Sequence, residues 1–190
     1  MGPEECEGIA QSILDDAGVD DQRSDPAVLA VAWACLQLCP EPGAKPHIRD
    51  GEIVYPASAS VDATAFFIGH ELAHDALAYY GVRLEREEEE RAASRIACCL
   101  ILPRRAFSRS SLRCDHNIAT LRELWPRASP WIIARRIAEL FDDSTAAQWS
   151  RSMRCKRRVG PSRTREEREQ IASGRALAHE SAWFLAIVPG

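Results

Sequence analysis

Apolar residues recur at helical spacing near the start of the chain, with Ile9, Ile13 and Leu14 in PEECEGIAQSILDDAG, a segment that Gly18 is suited to stop. The run DPAVLAVAWACLQLCP, opened by Asp25-Pro26 and closed before Pro40, predicts a second helix. The pattern then changes. In HIRDGEIVYP two short segments flank Asp50-Gly51, a dipeptide suited to a two-residue hairpin turn. SVDATAFFIGHELAHDALAYY predicts a long helix ended by Gly81, and EREEEERAASRIACCLIL another that stops at Pro103. The expected order is helix, helix, hairpin, helix, helix.

Beyond Pro103, RRAFSRSSLRCDHN reads as a basic connector. IATLRELWPRASPWIIARRIAELF predicts two helices about a short turn, with Ser129 as cap and Pro130 at the first position of the second, an arrangement like a helix-turn-helix. The tail opens as a basic strand or loop, passes through a polar helix and ends in AWFLAIV, expected to be a strand. The chain thus divides into a core over 1–108, a basic connector with a helical pair over 109–145, and a basic extension over 146–190.

Composition narrows the class. A chain of 190 residues that is 46% hydrophobic and 27% charged can bury a core and is not disordered by composition. It contains no apolar run near the ~20 residues that cross a bilayer, and its acidic start is unlike a secretory signal, so no membrane partner and a cytoplasmic location are expected. Seven cysteines, without framework spacing, point to reduced thiols. The net charge of −4 hides a polarity: residues 1–100 hold 7 Lys and Arg against 19 Asp and Glu, and residues 101–190 hold 17 against 9. A basic second half suits an anionic partner, and it equally suits pairing with the acidic half.

The stretch FFIGHELAHDALAYYG, residues 66–81, carries the chemistry. Residues four apart on a helix share a face, about 6 Å apart along the axis, so His70 and His74 can ligate one ion. Glu71 lies beside that face, where its carboxylate can take a proton from a water activated by the ion, which is what the H-E-x-x-H spacing provides. Phe67, Leu77 and Ala78 are expected on the inner stripe. The same five residues also occur by chance on ordinary helices, so the surroundings decide. A catalytic zinc needs a third protein ligand, and EREEEERAASR offers Glu85 and Glu87 to Glu90. With Ala93, Ala97 and Leu100/Ile101 marking the buried stripe, Glu90 continues it one turn back; Glu85 and Glu87 to Glu89 read as a solvated face.

The helix FFIGHELAHDALAYYG followed by ERAASRIACCLILP resembles the ImmA/IrrE metallopeptidases, whose pattern is a HELGH helix and then E-x-[EQ]-A-[ND]-x-F-A-x-x-L-L-M-P. Glu90 falls on the third-ligand glutamate, Ala93 and Ala97 on the two alanines, and Leu100 to Pro103 on the closing Leu-Leu-Met-Pro. GEIVYP resembles the strand before the active-site helix. The resemblance covers roughly residues 5–140. It departs at Ala92, where Glu or Gln is usual, at Ser94, where Asn or Asp is usual, and at Ile96, where Phe is usual. Ser94 lies where an amide or carboxylate could orient a ligand histidine; Asp75 and Asp115 are candidates to replace it.

The resemblance implies an α+β, mainly helical zincin-like core of gluzincin type, with a small β-hairpin or sheet, a helix-turn-helix-like segment and a small C-terminal extension. It implies Zn2+ held by His70, His74 and Glu90, with Glu71 moving the proton in peptide hydrolysis. Tyr79, Tyr80 and Arg95 are candidates to stabilise the oxyanion, core packing being the other role for the tyrosines. Cys114, in SSLRCDHN, is a candidate inhibitory fourth metal ligand, and Arg113-Cys114 resembles the inhibitory Arg-Cys of matrix metalloprotease propeptides.

The implied substrate is a partner helix-turn-helix repressor, whose cleavage would release stress, phage or defence genes; a CapP-like subgroup of such peptidases is tied to anti-phage operons. Arg135, Arg136, Arg154, Lys156, Arg157 and Arg158, interleaved with Trp125, Trp131 and Trp149, are candidate nucleic-acid contacts, with single-stranded DNA as activator. A DNA-binding regulator with an inactive H-E-x-x-H helix and a general peptidase are the competing readings.

Overall fold

A computed structural model describes residues 1–21, 24–141, 144–150, 155–160, 166, 170, 177–179 and 182–187. The chain forms two compact units, Met1–Ala106 and Phe107–Gly190.

In the first unit, α1 (Pro3–Asp16) and α2 (Pro26–Ala32) precede three short strands, β1 (Gln37–Glu41), β2 (His47–Arg49) and β3 (Glu52–Pro56). The long helices α3 (Val61–Tyr79) and α4 (Arg86–Ile101) complete it. The hairpin is as expected: β2 and β3 pair antiparallel with Ile48 opposite Ile53, and Asp50 and Gly51 turn the chain with φ of 50° and 79°. That double left-handed geometry suits Asp-Gly.

The second expected helix stops early. It ends at Ala32, Cys35 takes a φ of 54°, and Gln37–Glu41 becomes β1, parallel to β3 with Cys39 opposite Val54. An apolar run of this kind fits a buried helix or a strand equally by local pattern, and here pairing with β3 decides. β1 lies at the sheet edge, where Pro40 lacks no needed donor.

The core of this unit is made by α1, α3 and α4. Ile13 and Leu14, Leu72 and Leu77, and Ile96 and Leu100 are each 0–1% exposed. Burying a side chain of this size contributes roughly 1.5–3 kcal/mol. The buried stripe of α3 is Ala65, Ile68, Gly69, Leu72, Ala73, Ala76 and Leu77; Ala78, expected to be inside, is exposed, and Phe67 is half-buried. Between α3 and α4 the contacts are small residues. A Cβ on Gly69 would stand 3.4 Å from both Cα and Cβ of Ala97 and 3.5 Å from Pro26 Cγ. This close approach brings the polar flanks of the two helices within reach of each other.

The expected basic connector is a helix, α5 (Arg104–Arg113), which runs from the end of the first unit into the second. Phe107 and Ser111, one turn apart, are both 0% exposed, and this spacing gives α5 a buried face that its arginines mask in the sequence. The helical pair is as expected, with α6 (Ile118–Leu124) followed by α7 (Pro130–Leu140), whose Ile132 N–H donates to Ser129 Oγ at 3.3 Å. Strands β4 (Thr145–Ser150), β5 (Cys155–Val159), β6 (Leu177–His179) and β7 (Ala182–Ile187) form an antiparallel sheet in the order β5-β4-β7-β6, with β7 falling on the expected apolar run. The polar helix expected in the tail lies almost wholly outside the described residues. No disulfide joins any of the seven cysteines, and among the described residues no helix is long and apolar enough to cross a membrane.

Candidate metal centre

α3 begins at Ser60, whose hydroxyl accepts from the Ala63 N–H at 3.4 Å, and the chain leaves it through Gly81 at φ 70°. With its small and aliphatic residues turned to the core, His70 and His74 fall on the flank of the buried stripe, their side chains 16% and 23% exposed. α4 carries Glu87, Glu88 and Glu89 in its first turn, where carboxylates complement the helix dipole, and Glu90 follows.

Three donor atoms meet there. His70 Nε2 stands 3.2 Å from Glu90 Oε2, His74 Nε2 stands 3.2 Å from His70 Nε2, and His74 Nε2 stands 3.9 Å from Glu90 Oε2. Ligands about 2.1 Å from a tetrahedral ion stand roughly 3.4 Å apart, so these separations match one face of a zinc tetrahedron. Two imidazole nitrogens and one carboxylate oxygen are also the donor chemistry zinc takes in catalytic sites. The residues present therefore fit the metal, and among the described residues His70, His74 and Glu90 form a group that could hold one ion.

Glu71 is half-buried, and burial pushes its carboxyl above the usual carboxylate range, against the opposing pull of the His70 and His74 charges. A carboxylate with raised proton affinity is the better general base near neutral pH. His47, exposed at the start of β2, also acts on Glu71 through its charge, a neighbour the sequence pattern does not reveal.

Each ligand ring has a second partner on its other nitrogen. Ser94 Oγ lies 3.4 Å from His70 Nδ1, so the serine that replaces the usual Asn or Asp still reaches the ring. Glu89 Oε1 lies 2.7 Å from His74 Nδ1. This contact corrects the expectation that Glu89 belongs to a solvated face: residue 89 precedes Ala92, Ala93 and Ile96 by three, four and seven positions, so it shares their helical phase as Glu90 shares that of Ala93 and Ala97, although the buried stripe itself begins at Ala92 and the Glu89 and Glu90 side chains are 41% and 54% exposed. The helical phase that selects Glu90 selects both.

The tyrosines have other engagements. Tyr80 donates its hydroxyl to Asp16 Oδ2 at 3.1 Å, and burial together with that carboxylate pushes its pKa up to about 12. Tyr79 is 71% exposed and packs edge-on to Trp33 at 5.3 Å. Arg95 is half-buried on α4.

In the second unit, Cys114 is half-buried in the turn after α5, its N–H donating to the Ser110 carbonyl at 3.1 Å, and Asp115 follows at φ 48°. Among the candidate nucleic-acid contacts, Arg136 is 2% exposed and faces Glu139 Oε2 at 3.8 Å, so it is an interior ion-pair member and cannot lie along a phosphate backbone. Arg135 donates to Glu139 Oε1 at 2.8 Å. Arg157 is exposed and sits 5.8 Å above the Trp131 ring, Arg158 is half-buried, and Arg154 and the side chain of Lys156 lie outside the described residues. Trp125 packs on Phe107 at 6.1 Å.

An H-E-x-x-H helix packed against a glutamate-bearing helix, beside a small sheet, defines a zincin-like metallopeptidase core. Residues 40–141 match the peptidase M78 family, described as the IrrE N-terminal-like domain, and the chain belongs to this family. No curated protein matches the chain. Among solved structures, a Mycobacterium tuberculosis transcriptional regulator shares the fold, with a TM-score of 0.64 over 84% of this chain at 13% identity. This chain covers 57% of that regulator's length.

Proposed function

We propose that this protein is a zinc-dependent endopeptidase that cleaves a partner helix-turn-helix repressor and thereby releases stress, phage or defence genes. The observation that carries the enzymatic part is the convergence of His70 Nε2, His74 Nε2 and Glu90 Oε2 beside the half-buried carboxylate of Glu71. Zinc, when bound, supplies a Lewis acid that lowers the pKa of water and polarises a carbonyl. His70, His74 and Glu90 would hold it, three protein ligands being the number a catalytic zinc takes. Glu71 takes a proton from the attacking water as the new C–O bond forms, and returns it to the amide nitrogen as the C–N bond breaks, so that one water is consumed per peptide bond.

Family membership supports the regulatory half of this reading, since the family is described by IrrE, and the substrate is our own inference. The test is Glu71→Gln in the full chain, assayed against any helix-turn-helix protein that the genes beside its own are found to encode. Removing a general base costs about 10²- to 10⁴-fold in rate, so cleavage falls to background while elemental analysis still finds zinc. A wild-type protein that leaves the repressor intact overturns the substrate assignment. A Glu71→Gln variant that cuts as fast as wild type overturns the mechanism, and unaltered gene control by that variant supports a DNA-binding regulator instead.

Single-stranded DNA as activator is supported by the charge polarity of the chain and by the exposed Arg157 against Trp131, with Arg136 removed from the contact set. Activation that falls steeply with added salt is the expected result.

A further inference from the structure

We propose that Glu89 is a positioning residue of the metal centre, a carboxylate that holds His74 in the tautomer and orientation of a metal ligand. This rests on the reading of His70, His74 and Glu90 as zinc ligands. The contact between Glu89 Oε1 and His74 Nδ1 is 2.7 Å, in the range of charge-assisted hydrogen bonds. An ionised carboxylate only accepts, so Nδ1 is the donor in this contact, and in the neutral ring that a metal requires Nε2 then presents its lone pair. That lone pair faces His70 Nε2 at 3.2 Å and Glu90 Oε2 at 3.9 Å, the point at which a cation would be shared.

Glu89 is not a fourth ligand. The two nitrogens of an imidazole diverge from the ring, so a carboxylate on Nδ1 stands away from an ion on Nε2. Successive residues of a helix are rotated by about 100°, and Glu89 and Glu90 thus straddle His74, one on each nitrogen. Their backbone is anchored by Ala92, Ala93 and Ile96, which are 0–3% exposed. The His70 and His74 rings meet edge-on at 83° with centroids 4.8 Å apart, and a rotation of His74 would break both this contact and the donor cluster. His70 is held less firmly, by Ser94 at 3.4 Å.

The neighbouring glutamates differ. Glu87 is 88% exposed and faces Arg91 at 4.0 Å, whereas Glu89 is 41% exposed. Glu87 therefore serves as the control for loss of negative charge on the same helix end.

Zinc affinity of the full chain, measured by competition with a chromogenic chelator, and the visible absorption of the Co2+-loaded protein decide the matter. Loss of a carboxylate that orients a ligand histidine typically weakens metal binding by about 10- to 100-fold. Glu89→Ala is expected to fall in that range and to shift the Co2+ bands. Glu89→Gln, whose amide oxygen can still accept from Nδ1–H, recovers most of the affinity, and Glu87→Ala binds within about 2-fold of wild type. Should Glu89→Ala fail to fold, Glu89→Asp takes its place, since the shortened carboxylate retreats from Nδ1. Wild-type affinity and an unshifted spectrum in the Ala or Asp variant overturn the positioning role and leave the metal site intact. A loss in Glu87→Ala equal to that in Glu89→Ala reduces the effect to bulk charge and overturns it too. A wild-type protein that binds neither ion overturns both the positioning role and the metal site.

Discussion

Gly69 immediately precedes the first ligand histidine and permits α3 and α4 to touch, so enlarging it tests whether helix approach builds the metal site. Two effects oppose each other. Alanine in a helix interior is about 0.8–1.0 kcal/mol more favourable than glycine. The added Cβ would meet Ala97 at 3.4 Å and Pro26 Cγ at 3.5 Å, ordinary van der Waals contact at its near limit. Gly69→Ala is therefore expected to be neutral to stabilising by up to about 1 kcal/mol, with zinc affinity kept. Valine places two more methyl groups in the same space, and overpacking of this kind costs roughly 1–3 kcal/mol. Its propensity gain over glycine is only a few tenths of a kcal/mol, so Gly69→Val is expected to be destabilising by about 1–2 kcal/mol. The relief available is separation of α4 from α3, which withdraws Glu90 from the two imidazoles. Urea denaturation of the metal-free protein gives the stability, and chelator competition the affinity. A valine variant as stable as alanine, with wild-type zinc binding, would refute the claim that small residues at this crossing set the ligand geometry.

Zinc at 100 times its dissociation constant should stabilise the folded protein by about 2.7 kcal/mol, and Glu90→Gln should abolish most of that increment in thermal unfolding; an equal increment in the variant would remove Glu90 from the ligand set. In the second unit, burial lowers the His116 pKa below its ordinary 6.5, against a smaller opposing pull from Asp115, while Nδ1 lies 2.8 Å from Ser111 Oγ and the ring packs on Phe141 at 4.5 Å. The folded pKa is thus depressed, so the stability His116 contributes is present above pH 6.5 and is lost as pH falls through the folded value. Amide exchange at the α5–α6 corner should quicken on acidification through this window, and His116→Asn, which tolerates the φ of 56°, should remove the dependence.

What can be read in advance follows the range of the interactions involved. The hairpin is legible because Asp50-Gly51 is determined by its own two dihedrals, and α3 and α4 because Ser60, Gly81 and Pro103 mark their ends locally. β1 is not, because Gln37–Cys39, ahead of Pro40, reads equally as a strand or as the end of α2; its partner β3 lies fifteen residues away in register, Gln37 opposite Glu52. α5 escapes for a different reason. Its buried face consists of Ala106, Phe107 and Ser111, with a single large apolar residue among four arginines, too few to show a period.

The site divides in the same way. His70, Glu71 and His74 declare themselves by spacing within one helix, and Glu90 by phase against Ala93 and Ala97, but phase alone admits residue 89 on the same ground. A glutamate run resembles a solvated face whether or not one member turns inward, and only the approach of α3 to α4 brings His74 Nδ1 to 2.7 Å from Glu89. Arg136 fails in the opposite direction, since its charge suggests a surface, yet it sits between Ile133 and Ile137 on the buried side of α7, each 0% exposed, with Glu139 as its ion-pair partner. Residue type gives the sign of a charge, whereas its helical phase, checked against flanking aliphatic residues, decides whether that charge faces a ligand, a partner or the interior.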